Sequence, residues 1–389
     1  MSETAEVPVA VTQVIRDQNE RMQIALDKTF GLTHSLQGVS GARGLQRVVQ
    51  GAALPWEVPA FSGLREAYVR FRGDTDLRCV GKSRVTQLVN MATFENALAN
   101  TMTHLLIKDY ATDYRWRDVV TETTSPQNFK TQERVRANYV ADLAEVSEDG
   151  LYEEVPAFGD ERVTYTVAQM GRTLTITRRA ILADDIQAIK RTIDQLGRAA
   201  WRTLAKRVWG KLISNDSYGA DSLPIFHADH GNLGAAALSV ASLTAAREAL
   251  FAQTEPGSDE RLGLAGPFLL AIPIELEATA LPINSCEVVP GSVNHDGNPW
   301  HHRFGPEGER IFANPLFTDA NDWYLFDISG NVGIIEVGFL QGRQMPEIFV
   351  EQLPTADQSF SQDRIVYKMR HEYEAEILDY RGSHKAVVI

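Results

Sequence analysis

The sequence predicts an α+β fold, and three patterns along its 389 residues lead to that prediction. Two segments in which apolar and polar residues alternate flank an acidic connector, which indicates a long β-hairpin. A long amphipathic helix follows the hairpin, and another long alternating segment lies near the C-terminal end. Because the chain is longer than one compact core usually holds, two or three sub-domains are expected.

The composition is that of an ordinary globular protein, with 44% hydrophobic and 23% charged residues. No apolar run is long enough to cross a bilayer, so no membrane-spanning segment is predicted. The two cysteines, Cys79 and Cys286, are too few for a disulfide framework, which favours synthesis in the cytoplasm. The formal net charge of −13 speaks against non-specific nucleic-acid binding, because such binding relies on Lys and Arg to neutralise phosphates.

The first third of the chain is predicted to hold two helices joined by an irregular segment. Residues 9–29 have apolar residues at helical spacing, and residues 30–65 are rich in Gly, Ser and Pro, as in a connector or extended arm. A second helix is predicted over 91–108, with Phe94 and Leu98 on its apolar face.

The hairpin is predicted from alternation over Arg134–Leu143 and again over Val163–Ile176. In the first strand Val135 faces one way and Arg134 the other. Hairpin loops are usually short, so a long charged one is expected to lie on another subunit and not on its own core. The acidic residues assigned to its tip are Glu145, Glu148, Asp149, Glu153 and Glu154.

The long helix is predicted over 184–213, with Asp184 and Asp185 at its N-cap and first turn. Its apolar residues repeat at steps of three and four, and its length would be about 45 Å. The candidate partner surface for the acidic tip consists of the helix residues Arg198, Arg202 and Lys206. The alternative is that both sets of charges are solvated faces.

The remainder of the chain is predicted to be a mixed α/β region followed by a return strand. The polar segment Gly291–Arg310 is predicted to be a loop, and alternation over Ile365–Ile377 predicts a strand of about 43 Å. The other predicted elements are a helix at Leu243–Gln253, a strand at Phe268–Ile272, a short helix at Ile274–Ala280, and strands at Trp323–Ile328 and Gly333–Phe339.

One short segment has the residue types of a metal site. His227, Asp229 and His230 lie within four residues, and histidine with carboxylate binds zinc or iron. Pro224 and Gly231 indicate a turn instead, in which these residues and Asn232 bond to backbone groups, and this interpretation is favoured. Because no nucleophile elbow and no His-Glu-x-x-His helix occurs, the protein is predicted to be no enzyme and to need no cofactor.

Five short sequence segments between residues 129 and 235 have a characteristic order: Phe129–Glu133, Thr173–Arg178, Leu196–Ala200, Trp209–Leu212 and Leu223–Leu233. In this order they resemble segments of tailed-bacteriophage major capsid proteins. The likeness is to the Mu-like major head subunits and to capsid proteins encoded as a fusion with a ClpP-like prohead protease. The resemblance implies the Hong Kong 97-type capsid fold, with an N-terminal arm, an extended hairpin called the E-loop, a peripheral domain built on a long spine helix, and an axial α/β domain.

That fold implies a division of the chain into five parts. The expected parts are an N-terminal extension or scaffold-like linker at 1–65, the N-arm at 66–130, the E-loop hairpin at 131–178, the peripheral domain at 179–240 and 341–389, and the axial domain at 241–340.

The function implied by the resemblance is that of a structural head protein in the virion capsid. It would be made in the bacterial host cytoplasm and self-assemble, as hexamers and pentamers, into an icosahedral shell that encloses phage DNA without reading its sequence. Expected partners are a portal, a scaffold or prohead protease, and a decoration protein. The alternatives are an encapsulin-like or gene transfer agent shell and, more remotely, a metal-dependent hydrolase using His227, Asp229 and His230.

Overall fold

The computed structural model describes residues 18–32, 58–72, 75, 77, 94–109, 115–136, 161–184, 186–256, 260–350 and 364–388. The helices are α1 (Gln18–Thr29), α2 (Leu64–Arg72), α3 (Phe94–Asp109), α4 (Arg178–Ala183), α5 (Ile186–Ile213), α6 (Val240–Phe251) and α7 (Glu277–Ser285). The strands are β1 (Val120–Thr124), β2 (Gln132–Arg136), β3 (Glu161–Tyr165), β4 (Ala168–Thr177), β5 (Leu233–Gly234), β6 (Phe268–Ile272), β7 (Ile311–Ala313), β8 (Trp323–Asp327), β9 (Ile335–Phe339), β10 (Glu347–Val350), β11 (Arg364–Ile377) and β12 (Ser383–Ala386). The predicted α+β class is confirmed. Within these ranges no helix combines the length and apolar character that a membrane crossing requires.

The chain forms two compact units. The first unit takes residues up to 111 together with 170–200 and 345–371, and the second takes 112–169, 201–344 and 372–389. Both α5 and β11 contribute residues to each unit. The division into peripheral and axial domains stays a prediction.

The helices of the first unit include two that the sequence predicts, α1 and α3; residues 9–17 lie outside the described ranges. The carboxylate of Asp27 on α1 is fully buried and accepts hydrogen bonds from Thr101 Oγ1 at 2.5 Å and Gln23 Nε2 at 3.0 Å. His104 Nδ1 lies 3.1 Å from its other oxygen. Burial raises the pKa of Asp27, but these hydrogen bonds outweigh it, so the pKa lies below the usual aspartate value. A buried carboxylate thus holds α1 to α3.

Asp184 has a different role from the one that the sequence predicts. It has a left-handed φ of 54° and ends the short helix α4, which precedes the predicted range 184–213, so it does not begin the long helix α5. Its carboxylate accepts hydrogen bonds from the backbone N–H of Leu64 and, at 3.3 Å, of Arg65, and therefore caps α2. The Asp184 carboxylate occupies the place that a Cβ would take at Gly63. Asp185 lies outside the described residues.

The long helix α5 has 28 residues and is therefore about 42 Å long. The apolar row that the sequence predicts is its buried face, which comprises Ile189, Ile193, Ala200, Leu204, Val208 and Leu212. The prediction of a long amphipathic helix is confirmed over these residues, and the helix begins after Asp184 and not at it.

The return strand β11 pairs with different strands along its length. In the first unit Tyr367–Arg370 pair with β10 in antiparallel register. In the second unit Tyr373–Ile377 pair antiparallel with β9, whose other edge pairs in parallel with β1. A second sheet in this unit has the order β5-β12-β8-β6-β7. All five residues of β6, of β8 and of β9 are buried. β6 is a continuous apolar run, whereas β8 ends in Asp327 and β9 contains Glu336.

The segment Gly291–Arg310 contains neither helix nor strand, as predicted, but it is not simply a solvated loop. Trp300 and Phe304 are 2% and 0% exposed and pack into the core of the second unit. Asn298 Nδ2 donates to the backbone oxygens of Ile283 at 2.6 Å and Cys286 at 2.8 Å. The loop is therefore anchored by two aromatic rings and by backbone carbonyls that α7 leaves unpaired.

Candidate assembly site

The residues that the sequence predicts for contact between subunits belong to the hairpin and to the long helix. The acidic tip residues Glu145, Glu148, Asp149, Glu153 and Glu154 all fall within residues 137–160, outside the described residues. What the structure describes is the base of the hairpin, where β2 and β3 pair antiparallel from Gln132 opposite Tyr165 to Arg136 opposite Glu161.

The two arginines of β2 face the rest of the subunit, and Val135 faces the solvent. Arg134 and Arg136 are half-buried, whereas Val135 between them is 50% exposed. On the opposite strand, Val163 and Tyr165 are each 4% exposed. The alternation seen in the sequence is real, but ion pairing and not apolar burial decides which face of β2 packs inward.

The first contact of the hairpin base is with Glu336, a fully buried carboxylate on β9. Arg134 donates to it twice, from Nε at 2.6 Å and from Nη2 at 2.8 Å. Thr124 Oγ1 on β1 donates at 2.5 Å, and the hydroxyl of Tyr165 donates as well. One side chain thus binds both strands of the hairpin and a neighbouring strand of the sheet.

These contacts shift the titration of the groups involved. Burial raises the pKa of Glu336, but the hydrogen bonds from Arg134, Thr124 and Tyr165 outweigh it, and the pKa lies below the usual glutamate value. Burial and the hydrogen bond to Glu336 raise the pKa of Tyr165 to about 12. At neutral pH Glu336 is therefore a carboxylate that accepts from a neutral phenol and a charged guanidinium.

The second contact is made at the other end of the same two strands. Arg136 pairs with Asp379, just after β11, and its Nη2 lies 2.8 Å from Glu255 Oε1. Across the hairpin, Glu161 accepts two hydrogen bonds from Arg381, at 2.9 and 3.0 Å. Arg381 Nη1 also donates to Asp379 Oδ1 at 3.1 Å, which links the two pairs into one network. Such bidentate, charge-assisted pairs are among the stronger and more directional polar contacts in proteins.

The basic residues of α5 from Arg198 onward fall into two groups. Arg207 donates to Glu374 at 2.7 and 2.9 Å, and Lys211 Nζ lies 2.9 Å from Glu376, so these two cations pair with β11 of the same chain. The predicted partner residues Arg198, Arg202 and Lys206 are all exposed. They lie at steps of four along α5, about 6 Å apart in rise.

The histidine turn is stabilised by hydrogen bonds between residues of the turn and residues close to it in the sequence. Asn232, fully buried, accepts from the His227 N–H at 3.1 Å and donates to Ile225 O at 2.9 Å. His230 uses both ring nitrogens, one with Ile225 O at 3.0 Å and one with Asp221 at 2.8 Å. The ring of His230 also stacks on Tyr380 with centroids 3.7 Å apart.

The same turn shows a difference between its two predicted anchors. Asp229 has a side chain that is 76% exposed and only approaches His227, at 3.4 Å. The structure therefore assigns the bonding to the backbone to Asn232 and not to Asp229. Among the described residues no group of three or more His, Cys, Asp or Glu side chains is arranged to hold a metal ion.

The sequence does not predict that Glu336, Asp379 and Arg381 bind the hairpin base. Glu336 had a local signal, because it is the single charged residue in the strand Ile335–Phe339, whose residues are all buried. A lone carboxylate in a buried strand needs a partner. Asp379 and Arg381 follow β11 with no comparable signal.

Comparison with known proteins gives one family match. A profile described as phage capsid protein matches residues 160–386, from the second hairpin strand to the last strand of the chain. No curated protein matches the sequence.

Several solved structures resemble the chain at low identity. A virus-like particle from Pyrococcus furiosus is 11% identical, with a TM-score of 0.40 over 75% of this chain and 99% of that one. The capsid of a native GTA particle is 9% identical, with a TM-score of 0.43 over 78% of this chain and 94% of that one. A structure of Mycobacterium phage Patience is 11% identical, with a TM-score of 0.43 over 78% and 91% of the two chains.

Proposed function

The chain belongs to the phage capsid protein family, and from that premise we propose how it builds a shell. It is a structural capsid protein, and its order of hairpin, long helix, α/β region and return strand is that of the Hong Kong 97-type capsid fold. The observation that carries this function is the family match over residues 160–386, which takes in all of these parts except the first hairpin strand.

The shell proposed is icosahedral and built from hexamers and pentamers of this chain. The net charge of −13 suits a container, because an acidic wall repels DNA weakly and does not impede filling or ejection. A portal, a scaffold or prohead protease and a decoration protein are the proposed partners, and the host cytoplasm is the proposed site of synthesis. No catalytic role is proposed for any residue of the chain.

The proposed contact between neighbouring subunits joins the acidic hairpin tip to the long helix. The tip residues Glu145, Glu148, Asp149, Glu153 and Glu154 would meet Arg198, Arg202 and Lys206 of an adjacent subunit. Two observations support this choice of cations. All three are exposed, whereas Arg207 and Lys211 pair within their own chain. An exposed pair contributes only about 0–1 kcal/mol, but a shell repeats each contact many times.

Charge reversal tests this contact. Glu153→Lys with Glu154→Lys should lower the yield of particles, and Arg202→Glu with Lys206→Glu in the same chain should restore it. The matched control is Arg303→Glu, which reverses an exposed cation outside α5 and should not restore assembly. Raising the ionic strength should weaken wild-type assembly, because salt screens such pairs within roughly 10 Å. Assembly that is indifferent to both the reversal and the salt concentration contradicts the contact.

The shell itself is tested by electron microscopy of the purified protein and by its sedimentation. Closed particles are expected, and a monomer at high concentration would contradict the proposal. The nucleic acid content of particles from the native host separates a phage head, filled with phage DNA, from a gene transfer agent or an encapsulin-like compartment. Metal analysis of the same sample, with a stoichiometric zinc or iron content as the contrary outcome, tests the hydrolase alternative at His227, Asp229 and His230.

A further inference from the structure

The hairpin base is part of the second unit and is attached to the rest of that unit at two separate points. Arg134 and Arg136 occupy alternate positions of β2, about 6.7 Å apart along the strand. Arg134 binds the fully buried Glu336, and Arg136 binds Asp379, which is 2% exposed. The paired strand β3 repeats this arrangement, because Tyr165 binds Glu336 and Glu161 is joined through Arg381 to Asp379.

Attachment at two points restricts the rotation of the hairpin more than attachment at one. A hairpin held at a single point can rotate about it, whereas a hairpin held at both ends of its base has its direction fixed. Glu336 is fully buried, so the first point cannot open without leaving a buried carboxylate with only the Thr124 hydroxyl as its donor. At the second point Asp379 keeps its pair with Arg381, but opening would separate Arg136 from Asp379 and Glu161 from Arg381. The base strands are therefore oriented by the two clusters and not only tethered.

A glycine allows the first cluster to form. Gly338 lies on β9, two residues after Glu336, and a Cβ there would overlap the hydroxyl of Tyr165. With no side chain at this position, Tyr165 can lie across the strand and reach Glu336. The cluster thus depends on an absent side chain as well as on the present ones.

We infer that Glu336 and Asp379 are positioning residues for assembly, and that they set the direction in which the hairpin leaves its own subunit toward a neighbour. This inference rests on the proposed shell function. The two hairpin strands then leave their described base, at Arg136 and Glu161, in a fixed direction.

The test compares Glu336→Gln with Glu374→Gln. Both glutamates are buried and accept a two-pronged pair from an arginine, at 2.6 and 2.8 Å in one case and 2.7 and 2.9 Å in the other. Of the two, Glu336 alone contacts the described strands of the hairpin. The measurements are the yield of closed shells by sedimentation and microscopy, and the thermal midpoint of the unassembled subunit. We expect both variants to fold with similar losses in midpoint, and only Glu336→Gln to lower shell yield by fivefold or more.

The outcomes separate this inference from the proposed function. If the wild type forms no shells, the proposed function fails. If the wild type and both variants form shells in equal yield, or if both variants lose yield in proportion to their midpoints, the positioning role is wrong. If Glu336→Gln does not fold, Tyr165→Phe takes its place, because it removes one donor to Glu336 and keeps the ring. It is expected to lower the midpoint by no more than Glu374→Gln does and to lower shell yield at least twofold, and an unchanged yield overturns the inference.

Discussion

His384 should make the subunit sensitive to mild acid. It lies on β12 opposite Leu325 of β8 and is 6% exposed. The centroid of its ring lies 5.9 Å from the ring centroid of Trp323. Its Nδ1 has no hydrogen-bond partner among the described residues. Burial lowers the pKa of His384 from 6.5 to about 4, because the charged imidazolium has no compensation there.

The size and sign of the effect follow from this difference. Above pH 6.5 the histidine is neutral in both the folded and the unfolded chain, so its protonation does not change the free energy of unfolding. As the pH falls from 6.5 toward 4, the unfolded chain binds a proton that the folded chain does not, so the free energy of unfolding decreases. The loss is complete near pH 4 and amounts to about 3 kcal/mol, since each pH unit corresponds to about 1.4 kcal/mol.

The assay is guanidinium unfolding of the unassembled subunit between pH 7 and pH 4.5, in the wild type and in His384→Gln. Protonation of carboxylates such as Glu336 also lowers the free energy of unfolding in acid. The informative quantity is therefore the difference in pH dependence between the two proteins. The variant should lose less stability on acidification. His302→Gln is the control for the exchange of a histidine for glutamine, because His302 is exposed. Equal pH dependence in the wild type and His384→Gln would refute the reasoning.

Three further predictions concern the turn, the hairpin and the first helix. Asn232→Ala should lower the free energy of unfolding by about 1–3 kcal/mol, because it leaves buried backbone groups unpaired, whereas Asp229→Ala should change it by less than about 0.5 kcal/mol; thermal melts of the two variants check this. A covalent Lys–Asn cross-link between subunits from the hairpin tip would need a lysine there, and residues 143–162 contain none. Mature particles should therefore give a single protomer band on denaturing gels, and a ladder of protomer multiples would contradict this. Thr101→Val, which removes a donor to buried Asp27, should cost about 1–2 kcal/mol by the same melts, whereas Thr103→Val should be nearly neutral.

Features that depend on neighbouring residues could be predicted from the sequence. The row from Ile189 to Leu212 repeats at helical spacing and is the buried face of α5. The strand Phe268–Ile272 has the bounds that its apolar run predicts. In both cases the periodicity of the chain matches the periodicity of the backbone, and burial follows from it.

Features that depend on distant residues could not be predicted. Alternation in β2 separates Arg134 from Val135 but does not say which is inside, because the deciding carboxylate is 202 residues away. Asp184 has the residue type of an N-cap, yet the helix that it caps begins 120 residues earlier in the chain. Asn232 and Asp229 were equal candidates in the turn, and only burial distinguishes them.

The carboxylate of Glu336 has a consequence for how this hairpin can be exchanged or can evolve. It serves donors from three different strands, so changing one donor alters what the other two require. Substitutions at Thr124, Arg134 and Tyr165 should therefore be strongly non-additive with those at Glu336 and Gly338. A hairpin grafted from another shell protein onto this chain would need an arginine at position 134 and a tyrosine at position 165, whatever the sequence of its tip.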